Sequence, residues 1–187
     1  MTRQIGNKLD YRGESYSIVG VCGAGLFRPG DYGIQTTMAS TACWDGYRAS
    51  YAIVDDQLLL RSLLVNVDAW PPAVNRIEPV RCSPGSDFNY QYDTVDLAMP
   101  FNGGVVIASD YLGFKLDIGN SLYDMGDPPF WHYEFVVEFE FHNGRLIKTS
   151  DMSSKVRSIR EEHIRQRQDT GDIGYPSLRG EFHFDYE

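Results

Sequence analysis

The alternation of apolar and polar residues is clearest between Trp131 and His142. Odd positions carry large apolar side chains, namely Trp131, Tyr133, Phe135, Val137, Phe139 and Phe141. Even positions are mostly acids and histidines, namely His132, Glu134, Val136, Glu138, Glu140 and His142. Because successive strand side chains point to opposite faces, the pattern predicts a strand with an aromatic inner face and an acidic face left in water. Asn143-Gly144 follows, and both residue types tolerate the positive φ of a type I′ turn, which predicts a hairpin.

Two earlier segments also have the pattern of hairpins. Residues 8–11 and 15–19 flank a short glycine-containing loop, and residues 47–53 and 57–67 flank Asp55-Asp56. The strand over 57–67 is apolar on both of its faces. We therefore expect it to be central and covered on both sides.

The rest of the chain carries weaker signals. Residues 75–99 form a long connection with room for one edge strand, 105–112 a further strand, and 113–129 an acidic loop. Apolar residues at helical spacing predict one helix over about residues 153–168, and the aromatic end of the tail (171–187) predicts a short edge strand at 182–186. The sequence as a whole predicts one mainly β domain over 1–187. We expect an antiparallel barrel or sandwich of about eight strands with one C-terminal helix.

Negative charge is concentrated in one part of the chain. The formal net charge is −9, and residues 86–140 hold ten acids against the single base Lys115. A field of this sign repels phosphate backbones and attracts basic protein surfaces or cations, so we expect a basic protein or a small molecule rather than nucleic acid as a partner. The alternative is that acids on loops simply keep the protein soluble.

Cysteine usage and hydropathy bear on the compartment. Cys22, Cys43 and Cys82 are an odd number without Cys-x-x-Cys spacing, which argues against a disulfide framework and a structural zinc site. No apolar run is long enough to cross a bilayer, and the N-terminus lacks a secretory apolar region. We expect a cytoplasmic protein with no membrane contact and no cofactor, of the general appearance of a small bacterial protein.

The sequence contains no recognised catalytic motif. It has no Gly-x-Ser-x-Gly elbow, His-Glu-x-x-His helix or calcium-loop spacing, and Cys43 has no histidine nearby in sequence. The acids and histidines of strand 131–142 suggest a metal site, but neighbours on one face lie about 6.6–7 Å apart and need ligands from another strand. A solvated outer face explains the same pattern, so we expect no metal.

Aromatic residues at strand ends and in loops, among them Trp44, Trp70 and Tyr90, either pack to close the ends of a barrel or sandwich, or line a pocket or a protein-binding surface. Asn102-Gly103-Gly104 allows a ligand or a second backbone to approach closely. We expect the ligand-binding residues to be Trp44, Tyr47, Asn102, Asp110, Trp131 and His132.

Two functional hypotheses follow. The favoured one is a non-enzymatic binding protein, for example an inhibitor or immunity-type protein, which engages a basic partner through the acidic loop region. The alternative is a small-molecule-binding barrel or enzyme with a pocket near Trp44, Asn102 and Trp131, in which Asp110 or His132 acts.

Overall fold

The computed structural model describes residues 4–112, 130–170, 181–184 and 186. Within these residues the chain is mainly β, with one α-helix and short 3₁₀ helices at Pro29–Tyr32 and Phe130–His132. The strands and the helix are β1 Lys8–Tyr11, β2 Glu14–Ala24, β3 Tyr47–Val54, β4 Gln57–Val65, β5 Val80–Arg81, β6 Tyr90–Tyr92, β7 Leu97–Ala98, β8 Asn102–Tyr111, β9 Tyr133–His142, β10 Arg145–Asp151 and α1 Ser153–Thr170.

Seven strands close into a barrel in the order β10-β9-β8-β2-β1-β3-β4. The closure is short: Arg145 of β10 pairs with Gln57 of β4, and the Leu58 N–H donates to the Gly144 carbonyl at 2.8 Å. The pair β5–β6 and the single strand β7 extend from β4 outside this ring. The predicted choice between barrel and sandwich is thereby settled in favour of the barrel.

The sheet is not purely antiparallel, which corrects the prediction. β1 runs parallel to β3, with Lys8 opposite Ser50 and Asp10 opposite Ala52. Parallel neighbours need a long crossover, and residues 25–46 supply one between β2 and β3. A reading of the chain as successive hairpins could not anticipate that crossover.

The three predicted hairpins are confirmed, and each turn has two consecutive residues with positive φ angles. The turn φ values are 53° and 85° at Arg12-Gly13, 48° and 62° at Asp55-Asp56, and 48° and 75° at Asn143-Gly144. Two consecutive left-handed residues match the twist of the flanking strands, so these short loops set the strand register.

The barrel interior is filled by apolar side chains. The predicted inner face of β9 is confirmed for Val137, Phe139 and Phe141, with Phe135 packed at its margin. It is wrong for Trp131 and Tyr133, which belong to a second cluster. For Trp131 the reason is the 3₁₀ helix at 130–132, because its side chains do not alternate between two faces as those of a strand do.

β4 lies between strands on both sides, as expected, but its outer face is only partly covered. Leu58, Leu60 and Leu63 are buried in the barrel, whereas Leu59 and Leu64 are half-buried. β6 and β7 pair with the edge of β4 instead of packing across its outer face, which explains the difference.

A second apolar layer covers the outside of β8 and β9. Its buried members are Val106, Ala108, Phe130, Trp131, Tyr133, Val136, Met152, Val156 and Phe182. α1, the predicted helix, lies in this layer. At the start of α1 the Asp151 carboxylate accepts the Ser153 N–H at 2.9 Å. Hydrogen bonds from the backbone and the side chain of Ser153 lower the pKa of Asp151.

The remaining connections differ from the predictions. The segment 75–99 contains three short strands where one was expected, and residues 181–184 form a turn and bends instead of an edge strand. The predicted loop 113–129 and the start of the tail, 171–180, lie outside the described residues. Among the residues described, no helix combines the length and the apolar character needed to cross a membrane.

Candidate functional site: a surface cleft and a covered outer face

An open cleft of about 310 Å³ lies between residues 33–37 and 67–72. The first wall begins where Gly33, at φ 73°, ends the 3₁₀ helix and turns the chain. Ile34 and Val67 are buried in the barrel core, so each wall is fastened from below. The cleft therefore sits on packed structure and is preformed.

Asn66 ties the first wall to the strand beside it. Its carbonyl accepts the Thr37 N–H at 2.8 Å, and its side-chain Nδ2 donates to Thr37 Oγ1 at 3.2 Å and to the Met38 carbonyl at 3.1 Å. The turn 43–46 stands directly against this wall, since a Cβ added at Gly46 would lie 2.0 Å from the Thr37 carbonyl oxygen. Trp44, which is 54% exposed, is carried on that turn.

The second wall is Trp70-Pro71-Pro72, which follows β4 and is held by the Tyr92 hydroxyl. That hydroxyl donates to the Pro72 carbonyl at 2.7 Å, and burial raises the pKa of Tyr92 to about 12, so it remains a donor at neutral pH. Trp70 is 60% exposed at the rim and meets Tyr90 edge to face, with ring centroids 5.2 Å apart. More than half of the Trp70 surface is thus accessible to a ligand.

Polar groups from both walls face the same space. Gln35, Thr36 and Thr37 line one side, and the exposed carboxylate of Asp68 lies two residues before Trp70 on the other. A mixed apolar and polar cleft with an exposed indole and one acid suits a ligand that has both a flat or apolar part and a positive charge.

The predicted ligand residues do not form one site. Asn102 and Asp110 lie eight positions apart on β8, about 26 Å along the strand. Trp131 lies near the Tyr111 end of β8, because Tyr111 pairs with Tyr133. Asn102 and Trp131 therefore cannot share the pocket rim that the alternative hypothesis requires.

Asn102 and Asp110 have local structural contacts. Asn102 Oδ1 accepts the Asn143 N–H at 2.8 Å and its Nδ2 donates to the Pro100 carbonyl at 3.2 Å, which braces the β9–β10 turn. Asp110 is exposed, with φ 58°, and its carboxylate accepts the Ser109 hydroxyl at 3.0 Å.

Tyr47 and Cys43 lie beside the cleft and not in its lining. Tyr47 is half-buried at the start of β3, and burial raises its pKa. The Cys43 thiol donates to the Tyr47 carbonyl at 3.4 Å, and burial likewise raises the pKa of Cys43. A buried thiol held protonated lacks the activation that a nucleophile needs.

Trp131 and His132 are buried in the outer layer, beneath α1. His132 is 1% exposed, and burial first, then the nearby Arg160 charge, lowers its pKa to about 4. The Arg160 guanidinium, itself buried, donates to the Trp131 and Tyr133 carbonyls at 2.9 Å each and to Glu134 at 3.0 Å. His132 is thus neutral at pH 7 and belongs to the packing between helix and barrel.

The acidic face of β9 is not left in water, which overturns a central expectation. Glu138 is 4% exposed, and its carboxylate accepts hydrogen bonds from the segment 181–186. Glu134 binds Arg157 and Arg160, while Glu140 lies 3.2 Å from the His183 imidazole. The cause is the outer layer, and its only sequence signal was Val136, which interrupts the polar row.

These contacts also reduce the negative charge that is available to a partner. The structure describes seven of the ten acids of residues 86–140, and five of them contact basic groups or N–H donors of this chain: Asp93, Asp96, Glu134, Glu138 and Glu140. Across the described ranges, no group of three or more His, Cys, Asp and Glu side chains is placed to hold a metal ion.

The cleft itself was missed from sequence because its walls are irregular loops without periodicity. Trp70-Pro71-Pro72 signalled only the end of β4, and nothing local showed that residues 33–37 would face it. The fold and the site together define a closed β-barrel with an open surface cleft. Comparison with known protein families, with curated proteins and with solved structures finds no match for this chain.

Proposed function

We propose that the protein is a binding protein whose cleft takes a cationic group attached to an apolar or flat part. The observation that carries the proposal is Trp70, 60% exposed at the rim of a cleft whose lining includes Asp68. A cation over an indole face gains about 0.5–2 kcal/mol, and a carboxylate at its side adds a charge-assisted contact.

The size and the charge of the molecule support the same ligand class. A volume of about 310 Å³ holds one long side chain or one small molecule. The net charge of −9 raises the local concentration of cations around the protein. A basic side chain of a protein partner and a free small cation share this chemistry, although the cleft lies outside the acidic region 86–140 and is not lined by Trp44, Asn102 or Trp131.

The test compares three probes on ¹⁵N-labelled protein: acetyl-Gly-Arg-Gly-amide, the same peptide with citrulline for arginine, and tetramethylammonium. Citrulline keeps the shape of arginine and removes its charge. We expect amide shifts confined to residues 33–37 and 67–72 with the arginine peptide, and much weaker shifts with the citrulline peptide. Stronger binding of the peptide than of tetramethylammonium favours a protein partner, and the reverse favours a small cation.

Two tryptophan variants provide a matched comparison. Trp70→Ala weakens binding of the arginine peptide about 2- to 30-fold, the loss of about 0.5–2 kcal/mol of cation–π attraction. Trp44→Ala, at 54% exposure on the adjacent turn, leaves binding unchanged. Equal binding of the arginine and citrulline peptides, or an unaffected Trp70→Ala variant, would contradict the proposal.

A further inference from the structure

The C-terminal segment, defined here as residues 181–184 and 186, lies on the outside of the barrel as a docked peptide. The Glu138 carboxylate accepts the His183 N–H at 2.9 Å, the Phe184 N–H at 3.3 Å and the Tyr186 hydroxyl at 3.1 Å. Two of these donors are backbone groups, so a buried acid recognises the main chain of the segment.

The floor beneath the segment is made of glycine. A Cβ added at Gly104 of β8 would lie 2.1 Å from Tyr186 Oη and 2.3 Å from Phe184 Cδ2. A Cβ at Gly20 of β2 would lie 3.1 Å from Tyr186 Cδ1. The missing side chains leave a groove across β2, β8 and β9 whose shape fits the rings of the segment.

Contacts at the margins complete the groove. Lys155 of α1 lies 2.8 Å from the Glu181 carboxylate, and the Phe182 and Phe130 rings meet edge to face at 4.9 Å. Glu140 approaches the His183 imidazole at 3.2 Å. The groove thus contacts the backbone, the aromatic rings and the charged side chains of the segment, as a peptide-binding site does.

The barrel does not need the segment in order to close. None of the described residues 181–184 and 186 belongs to the inner core, and among them only Phe182 is a buried member of the outer cluster.

We propose that this groove is a peptide-binding site for the aromatic C-terminal segment, filled by the chain's own segment in the monomer and by that of a second copy on exchange. All the groups that the groove contacts belong to the segment itself, so the segment of a second copy can make the same contacts as the chain's own segment. The covalent connection gives the chain's own segment an effective concentration of about 1 mM, which favours the monomer in dilute solution. Exchange of this kind between copies is domain swapping.

The test uses a fluorescent peptide of residues 181–187 and full-length variants. Phe184→Ala/Tyr186→Ala weakens the chain's own segment and leaves the groove free. We expect this variant to bind the peptide about tenfold more tightly than the intact chain, which is the ratio for a peptide Kd of about 0.1 mM against about 1 mM of tethered competitor.

Two glycine variants then locate the binding. Adding Gly104→Ala to the double variant abolishes peptide binding, because the new methyl group occupies the groove. Adding Gly30→Ala does not, since a Cβ at Gly30 meets nothing within 4 Å. Equal peptide binding by the intact and double variants, or binding that survives Gly104→Ala, would overturn the proposal.

Amide hydrogen exchange of the intact chain provides a second readout that needs no variant to fold. The His183 and Phe184 amides exchange at least about 100-fold faster than those of Val106 and Val137, because the segment leaves while the barrel stays folded. Equal protection of both sets would make the segment an integral part of the fold and refute its exchange. Failure of the Phe184→Ala/Tyr186→Ala variant to fold would likewise show that the segment is an integral part of the fold and would refute the proposal.

Discussion

Glu138→Gln removes the charge that holds the C-terminal segment while it preserves the size of the side chain. The carboxylate receives three donors, from His183, Phe184 and Tyr186. Hydrogen bonds to a charged group contribute about 1.5–3 kcal/mol and neutral ones about 0.5–1.5 kcal/mol, so each bond loses about 1 kcal/mol. The intrinsic loss of docking free energy is therefore about 3 kcal/mol.

The loss of global stability is smaller, because the segment leaves the groove before the barrel unfolds. A tenfold docking equilibrium corresponds to about 1.4 kcal/mol, and the free energy of unfolding cannot fall by more than this amount. For a chain of this length the corresponding decrease in Tm is about 3–6 °C. Once Gly104→Ala has displaced the segment, no docking free energy is left to lose. Glu138→Gln should then leave the free energy of unfolding almost unchanged.

Urea unfolding followed by far-UV circular dichroism measures the free energy of unfolding of the wild type, of Glu138→Gln, of Gly104→Ala and of the variant that combines both substitutions. Glu140→Gln is the matched control, since among the described residues that acid pairs with the half-exposed His183 ring, and loss of this pair should cost under about 0.5 kcal/mol. An unchanged stability for Glu138→Gln, or a cost that persists undiminished beside Gly104→Ala, would refute the reasoning.

Three further substitutions test the barrel, its turns and its pH dependence. Gly144→Ala should lower the free energy of unfolding by about 2–4 kcal/mol in thermal unfolding, because φ is 75° and the new Cβ would lie 2.0 Å from the Met99 carbonyl oxygen. Tyr51→Phe should cost about 1–3 kcal/mol by urea unfolding, since the buried Phe27 N–H then loses its acceptor at 3.2 Å. The folded pKa of His132, about 4, lies below its unfolded value of 6.5, so stability is full above pH 6.5 and falls as the pH drops toward 4. Titrating stability against pH should show up to about 3 kcal/mol of this loss in the wild type, and His132→Phe should lack it.

Local chemistry was enough to predict the hairpins and the helix. Asp55-Asp56 and Asn143-Gly144 accept positive φ, and the neighbouring residues alternate with period two, so turn and register follow from adjacent residues. α1 begins at Ser153, where apolar residues at helical spacing begin and Asp151 caps the backbone. Each of these features depends on residues within a few positions of one another.

The candidate site was much less predictable, because its parts are distant in sequence. The cleft walls, 33–37 and 67–72, carry no periodic pattern, and they are set opposite each other by the packing of Ile34 and Val67 into one core and by the hydrogen bonds between Asn66 and Thr37. Trp44, Asn102 and Trp131 were grouped by residue type alone. Without the register of β8 and β9, nothing showed that Asn102 and Trp131 lie at opposite ends of one ladder.

The sequence by itself determined which side chains of β9 share a face, because the two-residue period of a strand is a property of the backbone. What covers each face was decided only by the tertiary structure. Glu138 is buried by donors 45 and more residues away, and the ring of strands is closed near a contact between Gln57 and Gly144 that spans 87 positions. Alternation assigns the side chains of β9 to two faces. Whether a face is exposed to water depends on which distant segments pack on it, and that packing depends on the free energy of the whole chain.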